Sequence, residues 1–510
     1  MPRALGAILA VLMGLLPIPS ALAAGVGGML TIEVIDHETK QPLACRMHLT
    51  NAAGKSLKAP RVPYWHDHFV LDGKLALKLP KGEYDFAIER GLEYRTQTGH
   101  FTLENFSKDT KVIELERFAD LAAEGWWSGD LDTARPAADL ELLMRAEDLH
   151  VVELITWPGR QVLLPKKSVA GDPLVQFDTN RFFHQSAGID ARGGGTLLFF
   201  NLKEPLDLGG LKTEYPPQQQ IIARAKLQDE GWVEAQKAYG WDVPLWVAGG
   251  QLDSIQVLNS NLRRGGTVNH ERDGKPRDEL LFPGASGNGR WSEAIYYHLL
   301  NCGLRVPPTA GSGSGEVPNP LGYNRMYVHV DGELTYDKWW EGVRAGRVVI
   351  TNGPLLRPTV EGEVPGFVFR ADSGQEVQLE VGLTLSTRDR ISYVEVIKNG
   401  QLEEQVRVDD LAQAGGRLSP IVFRESGWLL LRATADVPDN YRYAMTAPYY
   451  VEIGERPRIS KASAQFFLEW VNERAAKVTV ADPKQRETVL KYHQQAKTYW
   501  QDLVDRANAP

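Results

Sequence analysis

The sequence predicts a multidomain protein of mixed α/β and β structure. An α/β unit is expected to be flanked by two β-sandwich modules and followed by a C-terminal helical segment. The chain has 510 residues, more than one hydrophobic core normally holds. Apolar residues alternate with period two towards both ends, and mixed strand and helix patterns lie between them. We therefore expect five segments with the bounds 1–23, 24–117, 118–355, 356–455 and 456–510.

The first segment, residues 1–23, has the features of a signal peptide. Arg3 provides a positive charge, the apolar run ALGAILAVLMGLL follows it, and Ala21-Leu22-Ala23 matches a small-residue cleavage site. The apolar run is too short to span a bilayer comfortably. We expect the mature chain to begin near Ala24 and to be exported to the periplasm or the extracellular space. No later run predicts a membrane span.

The second segment, residues 24–117, predicts a small antiparallel β-sandwich. The runs MLTIEVID, CRMHLTNAAG and KVIELERF alternate apolar and polar residues and end at turn formers. The run LPKGEYDFAIERG resembles the closing hairpin of transthyretin-like or carboxypeptidase-regulatory modules, which are mostly accessory. The run YWHDHF places His66 and His68 in an H-x-H arrangement. That spacing alone is weak evidence for a metal site, and a surface strand is the favoured interpretation.

Residues 118–355 alternate between strand and helix patterns. AADLELLMRAEDLH, PPQQQIIARAKLQDEG, WSEAIYYHLLNCG and TYDKWWEGVRAG have helical spacing. VVELITW, TLLFFNL, LDSIQVLN, NRMYVHV and RVVITNG are short, buried-type strands. This alternation is what an α/β barrel requires, and such a barrel places its ligand-contacting residues at the carboxyl ends of the strands.

The last two segments return to β structure and then to helix. EVQLEVGLTL, ISYVEVIKNG, GWLLLRATA and APYYVEIG predict a second β-sandwich over residues 356–455. Residues 456–510 are predicted to be helical. There Phe466, Phe467, Trp470 and Val471 form an apolar stripe, which we expect to pack back on the body of the protein.

Composition excludes several classes of function. The chain is 43% hydrophobic and 24% charged, with a formal net charge of −8, which is globular and lacks the basic face of a nucleic-acid-binding protein. The sequence contains no G-x-S-x-G nucleophile motif, P-loop or dinucleotide fingerprint. Its only cysteines, Cys45 and Cys302, could pair in an oxidising compartment, although their apolar neighbours favour two buried free thiols.

Several blocks of the chain resemble one known family. Gly129-Asp130-Leu131 with the helix ELLMRAEDL, the block from YYHLLNCG to VHVDG, and WWEGVRAGRVVITNGPLL occur in the same order in the CehA/McbA branch of the PHP (polymerase and histidinol phosphatase) metallohydrolases. The resemblance covers most of residues 28–475. It implies a PHP-like distorted (β/α)7 barrel whose divalent metals activate water for phosphoester, ester or amide hydrolysis.

The positions that correspond to the family's metal ligands differ in this chain. Asp132 and Ala134 stand where the family has its first two histidines, Asn261 stands where a third is expected, and Gly313 where many members have aspartate. Alanine and glycine offer no donor, and a neutral amide is a poor substitute for imidazole. The resemblance therefore implies a metal-depleted pseudoenzyme that serves as a ligand-binding or scaffold protein, with no cofactor expected.

A residual cation site is the alternative that stays open. Asp130 and Asp132 share one face of a strand and could hold Ca²⁺ or Mg²⁺ through oxygen atoms. With Asp253 and His270 they could form an atypical, Asp-rich hydrolase site. The simpler interpretation is that the two aspartates are solvated or cap the following helix, and that His270 is a solvated loop histidine.

A polar cleft is also predicted from residues at strand ends and in the family-like blocks. These residues suit a small anionic or hydroxyl-rich ligand, because arginine binds carboxylate and phosphate groups well. For each residue taken singly, a structural salt bridge is an equally good explanation. The candidate ligand-binding residues are Lys237, Asp242, Asn259, Arg290, Asn319, Tyr323 and Arg325.

Overall fold

The computed structural model describes residues 27–157, 172–272, 274–454 and 456–510. The predicted signal peptide, residues 1–23, lies outside the described residues. The chain first forms eight strands: β1 (Gly27–Asp36), β2 (Ala44–Asn51), β3 (Tyr64–Trp65), β4 (His68–Asp72), β5 (Lys74–Pro80), β6 (Gly82–Glu89), β7 (Gln97–Leu103) and β8 (Lys108–Leu115). They make a β5-β1-β8 sheet and a β3-β4-β2-β6-β7 sheet.

The two N-terminal sheets share one hydrophobic core, in a sandwich-like arrangement. In β1, Leu30, Ile32 and Val34 are buried and the residues between them are not, as expected when one face of a strand meets the core. Met47 of β2 and Phe86 of β6 belong to the same buried cluster. The period-two pattern of the sequence therefore produces this packing directly.

The central region contains most of the helices. Its elements are β9 (Trp126–Thr133), α1 (Leu140–Glu147), β10 (Val151–Trp157), β11 (Leu174–Asp178), β12 (Arg181–Arg192), β13 (Gly195–Phe200), α2 (Gln218–Ala225), β14 (Trp232–Ala235), α3 (Val243–Ala248), β15 (Ser254–Leu258), α4 (Gly287–Asn301), β16 (Pro308–Ala310), β17 (Arg325–His329), α5 (Tyr336–Arg344) and β18 (Val348–Thr351). Short 3-10 helices precede β9 and α1.

The C-terminal region is again rich in strands and ends in two helices. Its elements are β19 (Leu355–Val360), β20 (Val368–Ala371), β21 (Val377–Leu379), β22 (Val381–Ser386), β23 (Tyr393–Lys398), β24 (Gln401–Arg407), α6 (Val408–Gln413), β25 (Ile421–Phe423), β26 (Gly427–Thr434), β27 (Tyr443–Thr446), β28 (Tyr449–Ile453), α7 (Lys461–Ala476) and α8 (Pro483–Asp505).

The prediction of a PHP-like distorted (β/α)7 barrel is wrong. Strand residues make up 38% of the structure and helix residues 21%. A (β/α) barrel needs parallel strands separated by helices, but β12, β13 and β14 pair antiparallel, and β17 pairs antiparallel with both β9 and β18. Through the antiparallel pair β18–β27 the central strands continue into the C-terminal region, in one 16-stranded sheet.

The two terminal helices pack on the central region. Trp500 of α8 is fully buried, stacks on Phe467 of α7 and donates a 2.9 Å hydrogen bond from Nε1 to the carbonyl oxygen of Pro244. Trp470 and Val471 are also buried, whereas Phe466 is partly exposed and stacks on His298. The apolar stripe of the tail thus lies against α3 and α4.

Two further properties follow from the packing. Cys45 and Cys302 are both buried and free, as their apolar neighbours indicated. Within the described ranges, none of the helices has the length and apolar character needed to cross a membrane.

Candidate functional site

A cavity of about 470 Å³ opens where the N-terminal, central and C-terminal regions meet. Six arginines line it and outnumber three acidic residues, Glu89, Glu147 and Asp389. We call this cavity the arginine cleft. The acidic residues leave an excess of three positive charges when all nine groups are ionised. The arginines are Arg46, Arg95, Arg264, Arg325, Arg388 and Arg442.

The lining residues lie at the ends of elements or in the connections between them. Arg46 lies on β2, and Glu89 and Glu147 are the last residues of β6 and α1. Arg325 begins β17, while Arg264 follows β15 in a loop. Arg388 and Arg442 precede β23 and β27. The cleft therefore exists only when all three regions are folded against one another.

An ion-pair network around Arg46 forms one wall of the cleft. Its guanidinium donates to Glu147 and, over 2.6 Å, to Oε2 of Glu89. Burial of Arg46 lowers its pKa, but the two carboxylates outweigh this effect and raise it. Burial likewise raises the pKa of Glu89, and the neighbouring arginines 46, 264 and 388 bring it well below its usual value. Both groups are charged at neutral pH.

Arg325 is the most deeply buried arginine of the cleft. It is 1% exposed, and its Nε donates over 2.6 Å to the carbonyl oxygen of Gly322. Its Nη1 is buried and has no hydrogen-bond partner among the described residues. A buried charged donor without an acceptor costs about 1–3 kcal/mol or more. Arg325 therefore brings a positive charge to the lining of the cleft.

Gly322 allows this arrangement. Its φ of +65° lies in the left-handed region, where residues with a Cβ are strained. A Cβ there would approach Nη2 of Arg325 to 2.9 Å and a side-chain atom of Leu149 to 2.6 Å. Glycine thus fits both the turn and the close approach of the guanidinium.

Arg388 and Arg442 also line the cleft and bond internal acceptors. Arg388 donates to the carbonyl oxygens of Arg90 and Gly91, and burial lowers its pKa to about 10 although Glu89 acts in the opposite direction. Arg442 donates from Nη1 to both carboxylate oxygens of Asp389 at 3.0 Å. Among the described residues, the Nε atoms of both arginines are buried without a partner.

Two of the sequence-predicted ligand residues line this cleft, and a third bonds one of its loops. Tyr323 and Arg325 line it. Asn319 accepts a 3.0 Å hydrogen bond from the backbone N–H of Arg264. Asn440 donates to the Tyr323 hydroxyl and to the Arg264 carbonyl oxygen. These amide side chains hold the Arg264 loop against the start of β17.

The other four predicted ligand residues lie elsewhere and have internal partners. Lys237 donates to Oδ1 of Asn261, and Asp242 accepts from the buried Arg474. Asn259 bonds Ser292 and the backbone N–H of Asn261, and Arg290 lies over the ring of Tyr441. For Asp242 the structural-salt-bridge explanation fits.

Asp130 and Asp132 are buried, at 0% and 1% exposure, so their interpretation as solvated or helix-capping carboxylates is wrong. Asp130 accepts hydrogen bonds from the backbone N–H groups of Asp132, Ser312 and Gly322 and from the Ser312 hydroxyl. These donors tie β9 to the segment that leads into β17. Burial raises the pKa of Asp132 well above its usual value, and the nearby charge of Glu316 raises it further.

The four residues of the predicted Asp-rich site are not brought together. Asp253 precedes β15 and pairs with Lys226. It therefore lies at the amino end of its strand, whereas Asp132 lies near the carboxyl end of β9, and these are opposite ends of the parallel strands. His270 is exposed in a loop, where its carbonyl oxygen accepts from Asn261. Within the described residues, these four do not form a group that could hold a metal ion.

A different cluster does have metal-ligand geometry. His48 of β2 and His68 of β4 are direct cross-strand partners, and Asp67 precedes His68. The Asp67 carboxylate lies 2.9 Å from Nδ1 of His68 and 3.3 Å from Nδ1 of His48. His66, the other member of the H-x-H run, is outside this group. The H-x-H run contributes only His68 to the cluster, and the second histidine comes from the neighbouring strand. The favoured interpretation of a surface strand is wrong for His68, which is 2% exposed.

Burial disfavours the protonated form of both histidines in this cluster. Burial lowers the pKa of His68 to about 3 and also lowers that of His48, in each case against the effect of Asp67. Burial raises the pKa of Asp67, but hydrogen bonds from the two histidines outweigh this effect and lower it. At neutral pH the group offers two neutral imidazoles and a carboxylate.

Comparison with known proteins gives little further information. No protein-family model and no curated protein matches this chain. The Bacillus anthracis TIE protein is similar at 21% identity and a TM-score of 0.15, over 22% of this chain and 20% of that one. The fibronectin(III)-like modules of Clostridium thermocellum CbhA are similar at 21% identity and a TM-score of 0.14, over 19% of this chain and 97% of theirs. The chain spans about a fifth of the TIE protein, and at these TM-scores neither similarity defines a family.

Proposed function

We propose that the protein binds a small anionic ligand, bearing carboxylate or phosphate groups, in the arginine cleft. The observation that carries this proposal is the lining of the cleft, in which six arginines outnumber three acidic residues; one of these arginines, Arg325, has a buried Nη1 without an acceptor among the described residues. An anionic ligand in the cleft would accept hydrogen bonds from the guanidinium groups that line it. This is the charge-assisted type of hydrogen bond, about twice as strong as a neutral one.

The other walls of the cleft support the same ligand class. Arg388 and Arg442 each keep a buried Nε that has no partner within the part of the chain that the structure describes. Arginine presents its donors in a planar fork that matches the two oxygens of a carboxylate or phosphate. The cleft volume of about 470 Å³ falls within the usual range for small-molecule sites. A metabolite-sized anion therefore fits both the shape and the charge.

The residues that line the cleft support binding of a ligand without catalysis. None of the described residues that line the cleft is Ser, Cys, His or Lys, the side chains most often used as nucleophiles or general bases. Glu89 is ion-paired with Arg46 and Arg264, and Glu147 is ion-paired with Arg46, so neither carboxylate is free to act as a base. The proposal is therefore that of a ligand-binding protein, and export of the chain stays a prediction.

Thermal unfolding in the presence of candidate ligands tests this proposal. A ligand that binds only the folded state at 100 times its Kd adds about 2.7 kcal/mol to the free energy of unfolding. Inorganic phosphate and succinate are the anionic probes, glucose is the hydroxyl-rich probe, and sodium chloride at matched ionic strength is the control. We expect a saturable rise in Tm with at least one anion and none with glucose. Equal shifts with chloride and both anions would contradict the proposal.

A further inference from the structure

The geometry points to a binding site for one divalent transition-metal ion, with zinc as the best fit, formed by His48, Asp67 and His68. This site lies in the N-terminal β-sandwich and does not depend on the anion-binding proposal. Two imidazoles and one carboxylate are an established zinc ligand set, in which the fourth position is held by water or substrate. Asp67 keeps 34% of its side chain exposed, which gives an ion a route to the otherwise buried pair of histidines.

The spacing of the donor atoms matches a metal. Adjacent ligand atoms of a tetrahedral zinc ion with bonds of about 2.0 Å lie roughly 3.3 Å apart. The Asp67 oxygens lie 2.9 Å and 3.3 Å from the Nδ1 atoms of His68 and His48, and one donor atom from each of the three residues lies within 4.8 Å of the others. The antiparallel register fixes this spacing, because it sets His48 directly opposite His68.

A second observation concerns the other nitrogen of His48. Its Nε2 is buried and has no hydrogen-bond partner among the described residues, yet Oε1 of Glu89 lies 3.9 Å away. When Nδ1 binds a metal, Nε2 must carry the proton and needs an acceptor, which in metal sites is commonly a carboxylate. Glu89 is in place for that role, and Arg264 holds its Oε1 from the other side at 2.7 Å.

A metal-free hydrogen-bonded cluster is the competing explanation. In it, each histidine donates Nδ1–H to one Asp67 oxygen. His48 Nε2 would then be a buried acceptor facing the Glu89 carboxylate, whose two oxygens already accept from Arg46 and Arg264 over 2.6 Å and 2.7 Å. Metal binding gives a partner to the Nδ1 atoms of both histidines and to Nε2 of His48. The hydrogen-bonded cluster leaves Nε2 of His48 without a partner.

Titration of the metal-free full-length protein with Co²⁺, followed by competition with Zn²⁺, tests the site. We expect one Co²⁺ per chain with visible absorption bands typical of low coordination number, displaced by one equivalent of Zn²⁺. Asp67→Asn and His68→Gln should weaken binding more than about 100-fold, beyond the 10–100-fold loss usual for outer-shell partners. His66→Ala, which alters the neighbouring histidine outside the cluster, should bind as the parent does.

Far-UV circular dichroism and Tm of each variant separate loss of ligands from loss of fold. Asp67→Asn keeps the size of a partly exposed side chain, so it reports on the site even where a substitution of the buried His68 unfolds the sandwich. Absence of stoichiometric metal in the parent, unchanged affinity in folded Asp67→Asn, or equal loss in His66→Ala would each overturn the assignment.

Discussion

Arg264 and Glu89, 175 positions apart in the sequence, form an ion pair with 2.7 Å between Nη2 and Oε1. This contact connects the loop after β15 to the end of β6, and so ties the N-terminal sandwich to the central region. It also joins the two proposed sites, because Glu89 lines the arginine cleft and faces His48 of the histidine cluster. The carboxylate of Glu89 is therefore expected to influence both.

Replacement of Glu89 by glutamine should act on the two sites in opposite directions. The change removes a carboxylate that competes with a bound anion, so anion affinity should rise by a few-fold, while Arg46 keeps its partner Glu147. Loss of the acceptor for His48 should weaken metal binding about 10–100-fold. Parallel titrations with phosphate and Co²⁺ measure both effects.

Glu116→Gln is the matched control for that variant, because Glu116 pairs with Arg95 at the exposed rim of the cleft. It should leave metal affinity unchanged. A Glu89→Gln protein that folds normally but loses anion affinity and keeps its metal affinity would show that the coupling is misassigned.

Substitution of Gly322 by alanine should damage the bottom of the cleft. The residue has a positive φ, and an added Cβ would meet Leu149 and the Arg325 guanidinium below 3.0 Å. We expect a loss of about 1–3 kcal/mol in the free energy of unfolding and weaker anion binding. Gly362→Ala is the control, because Gly362 also has a positive φ, +82°, but nothing within 4 Å of its Cβ position. It should show backbone strain alone, with anion affinity unchanged; equal effects of the two variants on binding would contradict the role given to Gly322.

Stability should depend on pH through Glu234. Burial raises its pKa from 4.5 to about 7, despite hydrogen bonds from Ser254, Thr309 and Gln256. The folded state therefore holds the proton more tightly than the unfolded chain. This contribution is fully present below about pH 4.5 and is lost as the pH rises through 7, with a magnitude of about 3 kcal/mol.

Urea unfolding of Glu234→Gln between pH 4 and 8 measures this contribution. Glutamine does not titrate, so the free energy of unfolding should fall less with rising pH in the variant than in the parent. The exposed residue Glu279 provides the control Glu279→Gln, which should follow the parent. Parallel pH profiles for the parent and Glu234→Gln would disprove the raised pKa.

Local structure was predictable from the sequence, but the arrangement of strands was not. The runs VVELITW, NRMYVHV and RVVITNG form β10, β17 and β18, because apolar periodicity is a local property. The barrel was wrong because apolar periodicity does not report strand direction. The strand β12 was not predicted, and it turns antiparallel into β13 through Gly193 and Gly194. The resemblance to PHP metallohydrolases stays a prediction of relationship that the fold does not support.

The candidate sites were predictable only where one short segment supplied the residues. One segment of seven positions contains Asn319, Tyr323 and Arg325, and it leads into a strand that the sequence predicted. Arg46, Arg388 and Arg442 come from distant elements and share no local motif. His48 meets His68 only through the register of β2 and β4, which the H-x-H run does not encode.

Calorimetric titration tests the central claim most directly. The titrant is the anion that stabilises the parent protein, and it is added to the parent, to Arg325→Met and to Arg424→Met. Methionine keeps an unbranched apolar stem and removes the charged donors at the bottom of the cleft, while Arg424 is a surface arginine, 79% exposed and paired with Glu376. A hydrogen bond to a charged group is worth about 1.5–3 kcal/mol, so Arg325→Met should weaken binding roughly 10- to 100-fold. Arg424→Met should bind as the parent does. One-to-one binding that is unaffected by Arg325→Met, in a variant that folds normally, would contradict the account.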